Sequence, residues 1–206
     1  MLNIAVLVSG SGTNLQALID AVSAGDINGR IAMVISSKAE TFALERAAKN
    51  GIESRVIERK CFASQQDFDL AILSVLRECG AELVVLAGFL CILGNSITEQ
   101  YKNRIINVHP SLIPAFCGAG YYGLKVHEAV LDYGVRVTGA TVHFVNDVTD
   151  GGAIILQKAV EVKQGDTPKE LQLRVMKEAE WEILPHAVAL FCDGRLSVKN
   201  NKVVII

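Results

Sequence analysis

A chain of 206 residues, 50% hydrophobic and 20% charged, has enough material for one sizeable core and is too apolar to be disordered. A net charge of −2 and a pI near 6.1 come with no run of Lys or Arg, which argues against nucleic acid or an anionic membrane as the main partner. Five cysteines without a C-x-x-C, and four histidines without metal-ligand spacing, point to reduced thiols in a cytoplasmic protein with no metal.

The opening, MLNIAVLVSGSG, lacks a basic start and reads as a buried first strand, not a signal peptide. Residues 3–9 are a near-continuous apolar run, the pattern of a central parallel strand. Gly10, Ser11, Gly12, Thr13 and Asn14 then make a tight turn, and LQALIDAVSAG continues at helical spacing. Strand, glycine turn and helix have the form of a phosphate site, with free backbone N–H groups at the helix start. The turn is not the dinucleotide fingerprint, whose third Gly would fall at Leu15, and no Gly-Lys-Ser/Thr follows to make a Walker loop. A turn built for chain geometry alone is the other reading.

Residues 31–36 are a second strand, 42–50 a helix closed by Gly51, and 54–57 a short strand. Residues 67–79 carry Phe68, Ile72, Val75 and Leu76 at helical spacing and end at Gly80. Residues 83–87 are a fully apolar strand, followed by GFLCILG, where Gly88 permits close backbone approach. A short helix includes residues 97–101.

Residues 105–114, IINVHPSLIP, are the centre of the chain. Alternation marks a strand, and Pro110 ends the ladder while holding His109 extended. Asn107 and His109, two apart, project from one strand end. An amide donor beside a residue that holds a proton near neutral pH suits a reaction in which charge builds on one oxygen. A polar pair that satisfies local backbone groups is the alternative.

The repeated strand–helix pattern gives an α/β fold, Rossmann-like, with a mainly parallel twisted sheet and helices on both faces. Ligands in such sheets sit beyond the carboxyl ends of the strands, so the Gly10 turn, the Gly88 turn and the Asn107/His109 pair belong on one edge. Residues 115–123, AFCGAGYYG, read as a surface loop near that edge, and 126–133 as a helix ending at Gly134. Residues 138–145 and 153–162 then alternate as two antiparallel strands, joined by a connection that holds Asp147 and Asp150. Asp150 precedes Gly151 and reads either as an Asx turn or as a carboxylate carried back over His109. His143 reads as a packed, hydrogen-bonded histidine. Thr167, Pro168 and Glu170 open the last long helix with a capping box, Pro185 is placed to kink it, and residues 196–206 are an edge-strand candidate. No repeat or linker is visible, and 1–206 reads as a single domain.

The set VLVSGSGTNLQ, VVLAGF, INVHPSLIP, TVHFV and DGGAIILQ, in this order, resembles the phosphoribosylglycinamide formyltransferases across nearly the whole chain. The resemblance implies transfer of the formyl group of 10-formyltetrahydrofolate to the amine of glycinamide ribonucleotide, in de novo purine synthesis. It implies Asn107, His109 and Asp150 as the catalytic trio, with Asp147 the lesser candidate. It places the ribonucleotide phosphate on Gly12, Thr13 and Asn14. Glu180 falls near the substrate amine, on an alignment with a one-residue gap in the helix. The folate sits against Leu90, Cys91, Ile92 and Leu93 and against Asn146, Asp147, Val148, Thr149 and Asp150. Gln65 and Cys91 stand where some members have Arg, and the 115–123 loop is longer than the form associated with the family, so that His127 aligns with a family His only after that insertion. Neither the loop nor His127 is given a role. The small molecules are the partners, with no nucleic acid and no membrane, for a monomer or homodimer. The alternatives are a 10-formyltetrahydrofolate hydrolase and a non-catalytic nucleotide-phosphate binding module, which would have no need of the trio.

Overall fold

In the computed structural model, which describes residues 1–206, the strand β1 (Leu2–Val8) divides its side chains between two cores. Ile4, Val6 and Val8 enter the larger core and Ala5 and Leu7 the smaller one, because successive residues of a strand point to opposite faces. Both faces of the strand are therefore apolar, which is why its sequence reads as a continuous run.

After β1 come α1 (Thr13–Ala24), β2 (Gly29–Ser36), α2 (Phe42–Lys49), β3 (Ser54–Val56), a 3₁₀ turn (Arg59–Cys61), α3 (Gln65–Glu78), β4 (Leu83–Leu86), α4 (Asn95–Gln100) and β5 (Ile105–His109). The second half holds α5 (Leu124–Tyr133), β6 (Val137–Phe144), β7 (Ile154–Glu161), α6 (Pro168–Val175), a π turn (Met176–Glu180), α7 (Trp181–Cys192), β8 (Leu196–Lys199) and β9 (Lys202–Ile205). Seven strands form one sheet in the order β3-β2-β1-β4-β5-β6-β7. The first five are parallel, and β6 and β7 are antiparallel. The expected mainly parallel sheet with an antiparallel portion is thus present.

Helices α1, α2, α5, α6 and α7 bury residues in the larger core, and α3 and α4 in the smaller one. The strand order reverses direction between β1 and β4, which opens a crevice at their carboxyl ends. Ser64 caps α3 by accepting the Asp67 N–H, and this starts the helix two residues before the expected Asp67. Thr167 and Glu170 form the expected capping box on α6.

Two expectations change. The tail does not join the main sheet; β8 and β9 pair with each other as a separate antiparallel hairpin, turned at Asn200 and Asn201 in left-handed conformation. Asn tolerates that conformation better than most residues, so the repeat of two Asn marks a hairpin turn rather than the middle of a strand. In the last long helix, the departure from α geometry falls at the π turn, ahead of Pro185, which lies inside α7.

Candidate active site

A cleft of about 570 Å³ lies at the carboxyl edge of the sheet. Its walls come from opposite faces. The helix side contributes Gly12, Thr13 and Asn14 at the start of α1, His127 of α5, Gln172 of α6, and Met176 and Glu180 of the π turn. The loop side contributes residues 86–93 after β4 and 145–150 after β6, where Phe89, Cys91, Leu93 and Val145 pack on the smaller core. Between them stand Asn107 and His109. Every residue expected in the site from sequence lines this one cleft.

The floor follows from strand parity. Asn107 and His109 alternate with Ile106 and Val108, which serve the larger core. In the antiparallel pairing with β6, Asn107 lies opposite His143 and His109 opposite Thr141. Directly opposed residues share a face, so all four side chains point to the same side. His143 Nδ1 lies 2.8 Å from the carbonyl of Phe144, which only accepts, so this nitrogen carries the proton. Its Nε2 accepts from the Asn107 amide nitrogen at 3.1 Å. One N–H of that amide is held and the other is free to meet a ligand.

Asp150 spans the two imidazoles. One carboxylate oxygen lies 3.6 Å from His109 Nδ1 and the other 3.6 Å from His143 Nε2. The Asx-turn alternative for Asp150 is not what forms: its carboxylate accepts the Gly118 N–H at 2.8 Å, while Asn146 makes the local turn bond to Val148 N–H. Asp150 itself has φ 55, and a Cβ on Gly152 would lie 1.8 Å from the Phe144 carbonyl oxygen. The tight return D-G-G is therefore what carries the carboxylate back over β5. Burial pushes the Asp150 pKa up, but the Gly118 N–H and the charge of His109 outweigh it and hold the pKa below the usual carboxylate value.

His109 is 5% exposed. Its Nε2 donates to the Phe116 carbonyl at 2.9 Å, so both ring nitrogens face acceptors, a setting that fits an imidazolium. Burial nevertheless lowers its pKa, with Asp150 and the Phe116 carbonyl acting in the opposite direction. The loop 115–123, given no role from sequence, thus supplies one bond to His109 and one to Asp150. Phe116, φ 50, is fixed by edge-to-face contacts with Tyr121 and Tyr133. The Ser111 and Thr141 hydroxyls hold the SLIP segment against β6: Thr141 donates to the Ser111 carbonyl and accepts from Ile113 N–H, and Ser111 donates to Ala115.

On the helix side, Gly12 is left-handed at φ 69, and a Cβ there would lie 2.7 Å from Ala43. No side chain caps α1, which leaves the first N–H groups at the cleft. The Asn14 amide donates to Glu180 at 2.6 Å. Burial raises the Glu180 pKa to about 7, against the Asn14 bond. The π turn Met176–Glu180 carries Glu180 at its end and brings it to the cleft.

On the loop side, Ser9 accepts the Leu90 N–H at 2.8 Å and ties the two glycine turns together. Gln65 donates to the Ile92 carbonyl at 3.0 Å and to the buried Asp69, which also receives the Gly94 N–H and the Ser96 hydroxyl. Gln65 is therefore a strut beneath Leu90–Leu93 and not a cleft residue, whereas Cys91 lines the cleft. Sequence reading missed His143, Phe116, Gly118, Gln172 and Met176 as parts of the site. For His143 a signal existed: Thr141 and His143 are polar at alternate positions of an apolar strand, the same pattern that marked Asn107 and His109. All five cysteines are free. No group of three or more His, Cys, Asp or Glu side chains is arranged to hold a metal ion. No helix is long and apolar enough to cross a membrane.

A parallel sheet whose strand ends carry an amide, an imidazole and a returning carboxylate opposite a glycine turn defines a group-transfer site for small molecules. The family model described as formyl transferase matches residues 2–188, and the chain belongs to that family. Phosphoribosylglycinamide formyltransferase from Haemophilus influenzae is 42% identical over 98% of this chain and 92% of its own length. The trifunctional purine biosynthetic protein adenosine-3 of Gallus gallus is 46% identical over 95% of this chain, which spans 19% of that protein. The crystal structure of glycinamide ribonucleotide transformylase 1 from Symbiobacterium toebii superposes with a TM-score of 0.94 at 43% identity, covering 100% of this chain and 94% of that one.

Proposed function

We propose that this chain is a single-domain phosphoribosylglycinamide formyltransferase. It moves the formyl group of 10-formyltetrahydrofolate to the amine of glycinamide ribonucleotide, giving formylglycinamide ribonucleotide and tetrahydrofolate. The observation that carries the reading is the convergence of Asn107, His109 and Asp150 with the Gly12–Asn14 helix start in one cleft. The phosphate takes the free N–H groups of α1, Glu180 holds the neighbouring part of the ribonucleotide, and the folate lies along residues 90–93 and 146–150. The similarity to the Haemophilus influenzae enzyme over most of both chains supports the choice of substrates.

In this reading the amine attacks the formyl carbon and the C=O bond opens to an oxyanion. The free N–H of Asn107 donates to that oxygen, a bond typically worth about 3 to 4 kcal/mol, and the His109 imidazolium, whose ring nitrogens face Phe116 and Asp150, stabilises it through its charge. Asp150 favours the imidazolium by its charge. The intermediate collapses by breaking the bond to the folate nitrogen, which gains the proton that the amine loses. We place the enzyme in the cytoplasm, as a monomer or homodimer.

Loss of 10-formyltetrahydrofolate absorbance, followed with and without glycinamide ribonucleotide, tests the reading. Consumption that depends on the ribonucleotide is expected. Equal consumption without it means that water is the acceptor and the enzyme is a hydrolase.

A further inference from the structure

His127 is buried at 0% exposure, lines the cleft, and has no partner for either ring nitrogen. Leaving two buried polar atoms unpaired costs a fold stability, and a ligand that pairs them recovers that cost. Burial, aided by the nearby charge of His109, lowers the His127 pKa to about 4, so the ring is neutral at pH 7 and offers one N–H donor and one bare nitrogen.

Its neighbours identify what it meets. Helix α5 packs against α6, whose Gln172 faces the cleft, and the wall continues through Met176 to Glu180 and Asn14. Of these, Glu180 and Asn14 belong to the part assigned above to the ribonucleotide, on the larger-core side. His127 lines the same cleft as His109.

We propose that His127, covered in the free protein, is uncovered when the ribonucleotide binds and becomes a contact for its glycinamide arm, one that aims the amine at the formyl carbon. The arm carries an amide carbonyl that accepts and N–H groups that donate, which matches the one donor and one acceptor of a neutral imidazole. The inference rests on the functional reading above. It adds a residue that holds the acceptor substrate rather than the folate.

The test uses His127→Phe and His127→Gln in the full chain, with kinetics for both substrates, calorimetric binding of glycinamide ribonucleotide, and thermal melting. In the free protein His127→Phe removes two unpaired polar atoms, so its melting temperature equals or exceeds the wild-type value. Its kcat/KM for the ribonucleotide falls about 10- to 100-fold, the worth of two hydrogen bonds, with the KM for the folate unchanged. His127→Gln recovers part of the loss. A kcat/KM for the ribonucleotide within twofold of wild type in His127→Phe overturns the inference, as does a lower melting temperature with equal losses toward both substrates, which marks a structural histidine. If the wild type binds the ribonucleotide through His127 but transfers no formyl group, the functional reading fails and the contact stands. If the wild type does not bind it, both fall.

Discussion

The middle of the cleft and its helix wall treat their polar groups in opposite ways. At the β5–β6 floor, Asn107, His143, Asp150, His109, Phe116 and Gly118 bond to or face one another in a chain. On the helix wall, Asn14 Oδ1 and both nitrogens of His127 are buried without partners, and Glu180 is buried with its pKa raised to about 7. Groups that must be in place before reaction are fixed by the protein; groups that hold substrate keep bonding capacity in reserve. Preorganised donors stabilise developing charge without rearranging at the moment of reaction, whereas an unsatisfied wall gains most when a ligand fills it.

Breaking the floor has the largest expected effect. Asp150→Asn and His109→Ala each lower kcat about 10²- to 10³-fold, the usual cost of one charge-stabilising group, while circular dichroism and melting show a folded protein. Near-normal turnover in folded His109→Ala removes the histidine from the scheme. His143→Leu leaves the reacting groups in place but frees the Asn107 amide to rotate, and costs less, about 10-fold in kcat with the ribonucleotide KM nearly constant. An equal loss in kcat for His143→Leu and His109→Ala is the outcome that contradicts this ranking.

The floor was legible in the sequence to the extent that alternation is. Asn107 and His109 stood out because two polar residues interrupt an apolar strand just before Pro110. The meeting of Asp150 with His109 depends on a return of the chain that only Gly151 and Gly152 hint at, and the resemblance, not periodicity, selected Asp150 over Asp147. The loop 115–123 acts through main-chain atoms, the Phe116 carbonyl and the Gly118 N–H, and any residue type carries those, so no side-chain pattern exposes them. Gln65 looked like a ligand position that had lost its cation, but burial of Asp69 beneath Gly94 turns it into a support. The sheet and both helix layers followed from apolar runs, whereas the tail hairpin was misread because a short alternating run does not name its partner strand.

Glu180→Gln sharpens the contrast on the helix wall. A carboxyl group with folded pKa about 7 against the ordinary 4.5 costs the fold nothing below about pH 4.5, where both states are protonated. As pH rises toward 7 the unfolded chain releases its proton first, and stability is lost progressively, on the order of 2 to 3 kcal/mol by pH 8. Glutamine keeps the shape and cannot ionise. The substituted free protein should therefore melt like wild type at pH 5 and higher than wild type at pH 8, while its KM for the ribonucleotide rises. Parallel melting curves from pH 5 to 8 would show that Glu180 is not held in its neutral form by the fold.

The smallest effect belongs to the loop wall. Gln65→Ala removes no cleft atom; it releases the Ile92 carbonyl and one of the three bonds on Asp69. Leu90 and Ile92 are 53% and 73% exposed, so the backbone beneath them, not packing around them, sets where their side chains stand. Ser9 holds Leu90 from the β1 side and Gly94 holds the other end, so the segment loosens in the middle without collapsing. An exposed neutral hydrogen bond is worth about 0.5 to 1.5 kcal/mol, which corresponds to a two- to tenfold rise in the folate KM. The ribonucleotide KM stays fixed, because the helix wall is built on the other face of the sheet. A rise in both KM values by the same factor would mean that the two walls move as one body, and the division of the cleft between them would have to be given up.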